Sequence, residues 1–127
     1  MGNSNSGLYL LLIKLSQKNK ITVRSGKVFN MLPGFYIYIG SAKKNLSQRL
    51  KRHASKYKKL FWHIDFLLEK SELLSEFIIK DEKNECRLAE RISNMDGALP
   101  VKGFGCSDCK CESHLYYFRE KPGKIEY

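Results

Sequence analysis

Apolar runs of strand length alternate with polar turns over the first forty residues. Residues 7–13, Gly-Leu-Tyr-Leu-Leu-Leu-Ile, predict a buried strand, and residues 21–23 predict a shorter strand of a hairpin. A Pro-Gly turn signal at 33–34 precedes Phe-Tyr-Ile-Tyr-Ile at 35–39. This alternation predicts a strand with its two tyrosines on one face and its aliphatic side chains on the other. We expect this strand to end at Gly40.

A helical period follows the strand predicted at 35–39. We expect a helix from an Asn45 N-cap to about Tyr57. At about 100° per residue its core-facing side would carry one apolar stripe, formed by Leu46, Leu50, Ala54 and Tyr57. Arg49 and His53 are four residues apart, which places them together at the edge of this stripe.

The second half of the chain predicts two more strands, a helix and a last strand. Residues 62–68 and 73–80 are interpreted as strands, although the glutamates of the second also suit a helix. The helix spans about 82–95 and buries Leu88, Ile92 and Met95. Glu85 shares that buried face, whereas Glu90 points roughly opposite. Residues 115–118, Leu-Tyr-Tyr-Phe, complete the pattern as a strand.

These elements and the length of 127 residues predict one α+β domain over residues 1–127. Its small antiparallel or mixed sheet would be flanked by helices. Residues 1–6 are interpreted as a disordered tail, and residues 97–127 as a Cys- and His-containing extension packed on the domain. The first six residues lack the basic and apolar regions of a secretory signal, and no apolar run approaches the length of a membrane helix. We therefore expect a cytoplasmic location.

Charge is distributed unevenly along the chain, whose net charge is +10. No Asp or Glu precedes Asp65, whereas 13 Lys and Arg residues do. A surface charged for solubility usually mixes both signs, but a block of one sign matches a phosphate backbone. We therefore expect a nucleic-acid partner, DNA rather than RNA. The residues expected to contact it are Lys43, Lys44, Lys51, Arg52, Lys56, Lys58 and Lys59.

The four cysteines do not form a framework spread along the chain. Cys86 stands alone, while Cys106, Cys109 and Cys111 lie within six residues. Without a secretory signal, this distribution favours reduced thiols. The three clustered cysteines and His114 contain enough soft ligands for tetrahedral Zn²⁺. The alternative is a loop with buried thiols, in which Asp108 and His114 make local hydrogen bonds.

The order of the polar and aromatic motifs resembles the GIY-YIG nuclease domain over most of the chain. The residues that carry this resemblance are Gly7-Leu8-Tyr9, Tyr38-Ile39-Gly40-Ser41, Arg49, His53 and a carboxylate on a later helix. The resemblance implies that the two name-giving motifs lie on adjacent strands. Gly34-Phe35-Tyr36 also fits the first motif, but it runs directly into the second and leaves no room for a turn.

Residues 10–37 separate the two motifs, a longer gap than is usual in the family, so the hairpin must contain an insertion. The long gap, the Trp-His-Ile-Asp segment at 62–65 and the segment 108–115 resemble a little-characterised prokaryotic subgroup of the family, a domain of unknown function.

The resemblance and the chemistry of phosphodiester hydrolysis together assign candidate roles. Arg49 would stabilise charge on the phosphoryl oxygens, and Tyr38 would hold the scissile phosphate. Tyr9 is the expected general base, with its pKa lowered by a metal and a guanidinium, and His53 would orient it or relay its proton. One Mg²⁺ or Mn²⁺ would be held by a carboxylate, Glu85 as first choice and Glu90 as second.

Three further residues are candidates for lining the cleft, namely His63, Asp65 and His114. The resulting hypothesis is a metal-dependent DNA endonuclease that acts on branched, damaged or otherwise distorted substrates, since no separate sequence-reading module is present. The alternative is a non-catalytic nucleic-acid-binding module of the same fold, with a partner protein supplying specificity. A third interpretation makes the cysteine cluster a zinc-dependent protein interaction site.

Overall fold

The computed structural model describes residues 6–42, 44–55, 60, 62–79, 84–105 and 112–123. Within these ranges the fold is α+β. The elements in chain order are β1 (Gly7–Leu15), β2 (Asn19–Thr22), β3 (Val28–Met31), β4 (Gly34–Ala42), α1 (Leu46–Ala54), α2 (His63–Lys70), β5 (Glu72–Ile79), α3 (Glu85–Ser93), β6 (Leu99–Pro100) and β7 (Leu115–Phe118).

Five of the strands form one sheet in the order β5-β1-β4-β7-β6, and β2 and β3 form a separate two-stranded sheet. Every pairing among the described strands is antiparallel, so the sheet is not mixed. The two motif strands, β1 and β4, are neighbours, and Tyr9 lies opposite Gly40 in their register. The triplet at 34–36 lies on β4 itself, whereas Gly7-Leu8-Tyr9 lies on the neighbouring strand β1.

Both faces of the sheet are covered, because side chains alternate along each strand and each face has its own core. The first core contains Tyr9, Leu11, Ile13 and Tyr36 from the sheet, together with apolar residues of α1, α2 and the β2–β3 hairpin. The second core contains Leu8, Leu10, Leu12, Ile37 and Ile39, covered by Leu88, Ala89 and Ile92 of α3. A strand buried on both sides needs apolar residues at every position, which explains the uninterrupted run in β1.

The predicted insertion between the motifs is the β2–β3 hairpin. Its inward residues, Ile21, Val23, Phe29 and Met31, are buried in the first core. Tyr36 Oη donates a hydrogen bond to the Leu32 carbonyl (2.6 Å) and Tyr117 Oη donates to the Pro33 carbonyl (2.8 Å) where the chain returns to β4. The insertion is therefore docked on the domain through packing at its inner face and hydrogen bonds at its base.

The prediction of a strand at 62–68 was wrong, because these residues begin helix α2. Ile64, Leu67 and Leu68 are buried at helical spacing in the first core. The Asp65 carboxylate accepts a hydrogen bond from the Trp62 backbone N–H (2.9 Å), which satisfies one of the donors that a helix start leaves without a partner.

Helix α1 is shorter than expected. Ser55 has an extended backbone, so the helix ends at Ala54, and Tyr57 lies outside the described residues. Asn45 precedes the helix, but its side chain makes no capping hydrogen bond. Ala54 is exposed and His53 is buried, so the expected stripe was wrong at Ala54.

The other boundaries differ by a few residues. Strand β4 continues past Gly40 to Ala42, and the strands expected at 73–80 and 115–118 are β5 and β7. Helix α3 buries Leu88 and Ile92 as expected, with residues 82–83 outside the described ranges. None of the helices in the described ranges is long and apolar enough to span a membrane.

Candidate functional site

The site begins at the close approach of the two motif strands. Because Gly40 lies directly opposite Tyr9, the phenol ring passes over the position that a side chain at residue 40 would occupy. A Cβ atom there would lie 2.3 Å from Tyr9 Cζ and 2.4 Å from Tyr9 Oη. Because Gly40 has no side chain, the Tyr9 ring can occupy this position.

The Tyr9 hydroxyl and the His53 imidazole share a buried hydrogen bond, with 2.8 Å between Oη and Nε2. His53 reaches this position from the last turn of α1. Its ring also contacts Tyr38 edge-on and Trp62 at a tilt, with centroid separations of 6.4 and 6.1 Å. The sequence placed His53 at the edge of the core, but the structure places it inside, as the link between both motif tyrosines and α1.

Arg49, one turn before His53, has its guanidinium beside the same strands. Nη1 donates to the backbone carbonyl of Ser41, and the guanidinium carbon lies 4.6 Å from the centroid of the Trp62 ring. Within the described part of the chain, Arg49 Nε is buried and has no hydrogen-bond acceptor. A buried N–H without an acceptor is costly, so this donor is available to an oxygen of a bound ligand.

Glu85 begins α3, whose N-terminus is capped by the Asn84 side chain through the N–H groups of Cys86 (2.9 Å) and Arg87 (3.2 Å). Glu85 Oε1 accepts a hydrogen bond from Ser41 Oγ (2.6 Å), and Oε2 lies 3.4 Å from His114 Nδ1. The side chain is 34% exposed, so the carboxylate is fixed in orientation but open to solvent.

Ser41 joins the two halves of the site. Its carbonyl binds Arg49, from the layer over the first core, and its hydroxyl binds Glu85, from the layer over the second. The negative charge of Glu85 also reaches both phenols, where it contributes to raising the pKa values of Tyr9 and Tyr38. The structure thus brings Tyr9, Tyr38, Arg49, His53 and Glu85 together at one end of the sheet.

The pKa values of the two phenols differ from the sequence expectation. Burial raises the pKa of Tyr9 well above its ordinary value, and the Arg49 guanidinium offsets only part of that rise. Burial likewise raises the pKa of Tyr38, with a further rise from the neighbouring Tyr9. Arg49 lowers the pKa of Tyr9 as expected, but burial outweighs it, so the protein's own groups keep both phenols protonated. The further lowering expected from a metal ion stays a prediction.

Of the candidate cleft residues, His114 lies at the site, whereas His63 lies in the packing beside it. His114 is buried against Glu85 and belongs to the site; burial lowers its pKa, and Glu85 partly offsets that fall. His63 packs between Phe29 and Phe104, and its Nδ1 accepts a hydrogen bond from the Gly105 N–H (3.0 Å). Burial, and then the charge of Lys27, lower the pKa of His63.

Asp65 is fully buried and forms an ion pair with Arg52, with 2.6 Å between Oδ1 and Nη1. The Arg52 guanidinium also lies 4.5 Å from the centroid of the Trp62 ring, so this arginine is held by internal contacts. Lys44 and Lys51 are exposed. The remaining expected nucleic-acid contacts, Lys43, Lys56, Lys58 and Lys59, lie outside the described residues.

The structure describes both candidate carboxylates and one of the four cysteines. Glu90 is exposed, on the side of α3 away from the second core, so Glu85 is the carboxylate at the site. Cys86 is disulfide-bonded, and the expectation of a reduced thiol there was wrong. Cys106, Cys109 and Cys111 lie outside the described residues, so the zinc site stays a prediction.

The donor set at Glu85 fits a hard divalent cation. The described residues contain no group of three or more His, Cys, Asp or Glu side chains that could hold a metal. Mg²⁺, however, commonly binds through one or two carboxylates and keeps water or phosphate oxygens as its other ligands. Glu85 is partly exposed, and each carboxylate oxygen has a second lone pair beyond its contact with Ser41 or His114.

Two residues of the site were given no role in the sequence analysis. Ser41 is the last residue of the second motif, and the alternation of β4 places it on the side covered by α3, so its proximity to Glu85 had a weak signal. Trp62 lies beside Arg49, Arg52 and His53. Its neighbours come from a different helix, and no local pattern indicates them.

The comparisons with known proteins give one match. A family model described as domain of unknown function DUF123 matches residues 8–126, a range that contains every residue of the site. No curated protein and no solved structure matches the chain. Because the match covers almost the whole sequence, the chain belongs to the DUF123 family.

Proposed function

We propose that this protein is an endonuclease of the GIY-YIG type, which hydrolyses phosphodiester bonds in DNA with one divalent metal ion. The observation that carries the proposal is the convergence at Ser41: a guanidinium and a carboxylate meet there beside two phenols and an imidazole. The order of these groups along the chain is the order that the GIY-YIG resemblance implies.

Arg49 is suited to the phosphoryl oxygens. Its position is fixed by the Ser41 carbonyl and by stacking on Trp62, and its buried Nε lacks an acceptor in the described residues. A fixed cation that needs little reorganisation stabilises the negative charge that builds up on phosphorus-bound oxygens during attack by water. Tyr38, whose ring centroid lies 6.4 Å from that of Tyr9, would hold the scissile phosphate from the sheet.

Tyr9 and His53 supply a path for the proton of the attacking water. Since burial keeps the Tyr9 phenol protonated, Tyr9 can accept a proton only if its own proton leaves at the same time. His53 Nε2, at 2.8 Å, is the group in position to take it. We therefore assign the two residues as a relay, with Tyr9 next to the water and His53 as the terminal base.

Glu85 is the residue that would hold a Mg²⁺ or Mn²⁺ ion. When bound, such an ion neutralises charge on the leaving oxygen of the phosphodiester. His114 and Ser41 restrict the rotation of the carboxylate from either side, and residues that orient a ligand in this way commonly contribute 10- to 100-fold to metal affinity or activity.

The experiment that tests the proposal compares two neutral substitutions on the same helix. Glu85→Gln keeps the size of the side chain but removes its charge, and Glu90→Gln does the same on the exposed side of α3. With Mg²⁺ or Mn²⁺, we expect the parent and Glu90→Gln to nick supercoiled DNA at similar rates. Glu85→Gln should be slower by at least about 100-fold while still binding DNA.

A substrate panel of duplex, single-stranded, flapped and branched DNA then identifies what is cut. Equal cleavage by parent and Glu85→Gln would show that Glu85 is not the metal ligand. Cleavage that persists in the presence of excess chelator would show that the reaction needs no metal ion.

A non-catalytic DNA-binding module is the second candidate, and one observation favours it. Tyr9 is buried, Tyr38 is half-buried and both phenols have raised pKa values, so neither is ionised by its protein surroundings. This candidate predicts salt-sensitive DNA binding with no cleavage of any member of the panel under Mg²⁺ or Mn²⁺. The same experiment therefore separates the two candidates.

A further inference from the structure

The hairpin inserted between the motif strands is strongly cationic. Residues 16–33 contain four basic residues and no Asp or Glu. The four are Lys18, Lys20, Arg24 and Lys27, and all of them are exposed. Solubility alone does not require a single sign of charge, so this composition indicates an anionic partner.

The inner face of the hairpin fixes where these charges lie. Ile21, Val23, Phe29 and Met31 are almost fully buried, so the opposite face of each strand points to solvent. On β2 this outer face carries Lys20, with Lys18 two residues earlier at a spacing of about 7 Å. The basic side chains of the hairpin therefore extend from a backbone that is fixed by the packing of its inner face.

No carboxylate lies in the described cross-strand pairs of the hairpin, in which Lys20 is the one cation. Lys20 is paired with Asn30, and Thr22 is paired with Val28. Lys14 of β1 gives the contrast, because it lies opposite Glu72 of β5. The outer face of the hairpin is thus uncompensated in its cross-strand pairs.

The turn of the hairpin lies near the candidate site. Lys27 Nζ is 5.0 Å from the centroid of the Phe29 ring, Phe29 contacts Phe104 at 5.1 Å, and Phe104 contacts Tyr38 edge-on at 6.4 Å. Two aromatic rings therefore separate Lys27 from Tyr38. The charge of Lys27 also reaches His63, in the helix next to the hairpin.

Helix α2 contacts β2 and is joined to α1 through the Arg52–Asp65 ion pair. The hairpin and α1 are therefore both neighbours of α2. A duplex presents phosphates of two strands on either side of a groove, whereas a single strand presents one line of phosphates, so two separate groups of cations suit a duplex.

We propose that the β2–β3 hairpin is a second phosphate-binding surface, which contacts one strand of a DNA duplex while α1 contacts the other. The inference rests on the proposed function, since it places the candidate site beside a duplex held at two points. It assigns the inserted hairpin a role in selecting double-stranded over single-stranded substrate.

The test compares two double variants that remove the same amount of charge. Lys20→Gln/Lys27→Gln changes the hairpin, and Arg87→Gln/Arg91→Gln changes exposed residues of α3, on the other side of the sheet. Binding to a short duplex and to one of its single strands is measured over a range of salt concentrations. Circular dichroism and thermal unfolding verify that all proteins are folded.

For the parent we expect salt-sensitive binding to the duplex. The hairpin variant should lower the slope of log K against log salt for the duplex by about 2, close to one unit per lost phosphate contact. The α3 variant should keep the parent slope, and the hairpin variant should lose less affinity for the single strand than for the duplex.

Equal slopes for parent and hairpin variant would overturn the inference while leaving the proposed function in place. Equal losses in the hairpin and α3 variants would also overturn it, because the effect would then follow net charge alone. Equal losses on duplex and single strand would overturn the role in duplex selection. A parent that binds neither DNA would overturn the proposed function, and the inference with it.

Discussion

Substitution of Gly40 by alanine tests the close approach on which the site is built. A methyl group at this position would lie 2.3, 2.4 and 2.6 Å from Cζ, Oη and Cε2 of Tyr9. The ring cannot move away freely, because Tyr9 is 1% exposed and its hydroxyl is bonded to His53. We therefore expect Gly40→Ala to displace the phenol and break that hydrogen bond.

The expected cost follows from the two changes. Overpacking a filled core costs about 1–3 kcal/mol, and loss of the Tyr9–His53 hydrogen bond adds about 0.5–1.5 kcal/mol. Replacing a strand glycine by alanine otherwise gains roughly 0.5–1 kcal/mol. The net loss should be about 0.5–4 kcal/mol, which at its upper end is a large part of the stability of an ordinary domain.

The assay is urea unfolding of four proteins in a double-mutant cycle: parent, Gly40→Ala, Tyr9→Leu and the combination. Leucine lacks the three ring atoms that meet the new methyl group. The cost of Gly40→Ala should therefore fall to below about 0.5 kcal/mol when residue 9 is leucine. An equal cost of the alanine in both backgrounds would refute the contact between this ring and Gly40.

Two further predictions concern groups next to the site. Asp65→Ala should destabilise the protein by about 2–4 kcal/mol, because the partly exposed Arg52 guanidinium and the Trp62 N–H lose their buried acceptor. Thermal and urea unfolding measure this change in stability. A loss below about 0.5 kcal/mol would contradict the prediction. Burial holds the pKa of His63 below its ordinary value of about 6.5, so the unfolded chain takes up that proton at higher pH than the folded protein. Stability should therefore decrease as pH falls from about 7.5 to about 5.5, and His63→Gln should reduce that decrease; the same pH dependence in both proteins would count against the assignment.

The sequence predicted the sheet well where one physical rule dominates. Strand β1 is apolar throughout because both of its faces are covered, and the alternation of β4 places Tyr36 and Tyr38 in the first core with Ile37 and Ile39 in the second. These rules act between near neighbours in the chain. They therefore need no knowledge of the tertiary structure.

Helix α2 was missed because its apolar residues form a short run that suits a strand as well as a helix. Its helical signal was the spacing of Ile64, Leu67 and Leu68 with Asp65 at the start. The burial of His53 was missed because the expected stripe assumed a helix continuing to Tyr57, whereas the extended backbone at Ser55 ends it. With the helix ended, His53 is the last inward-facing position.

The contact between Ser41 and Glu85 spans 44 residues and depends on how α3 packs on the second core. No pattern local to either residue determines that packing. The sequence could identify Glu85 as the carboxylate on a buried helix face, but not the serine that meets it.

The division of the domain into two cores has a consequence for how substitutions far from the site should act. Arg49 takes its position from one core and Glu85 from the other, and a single residue at the end of β4 connects them. A cavity under α3 would move the carboxylate while leaving the guanidinium and the phenols in place, whereas a cavity under α1 would do the reverse. Remote substitutions should therefore fall into two groups according to the side of the sheet that they weaken, one altering the dependence on added metal and the other the binding of phosphate.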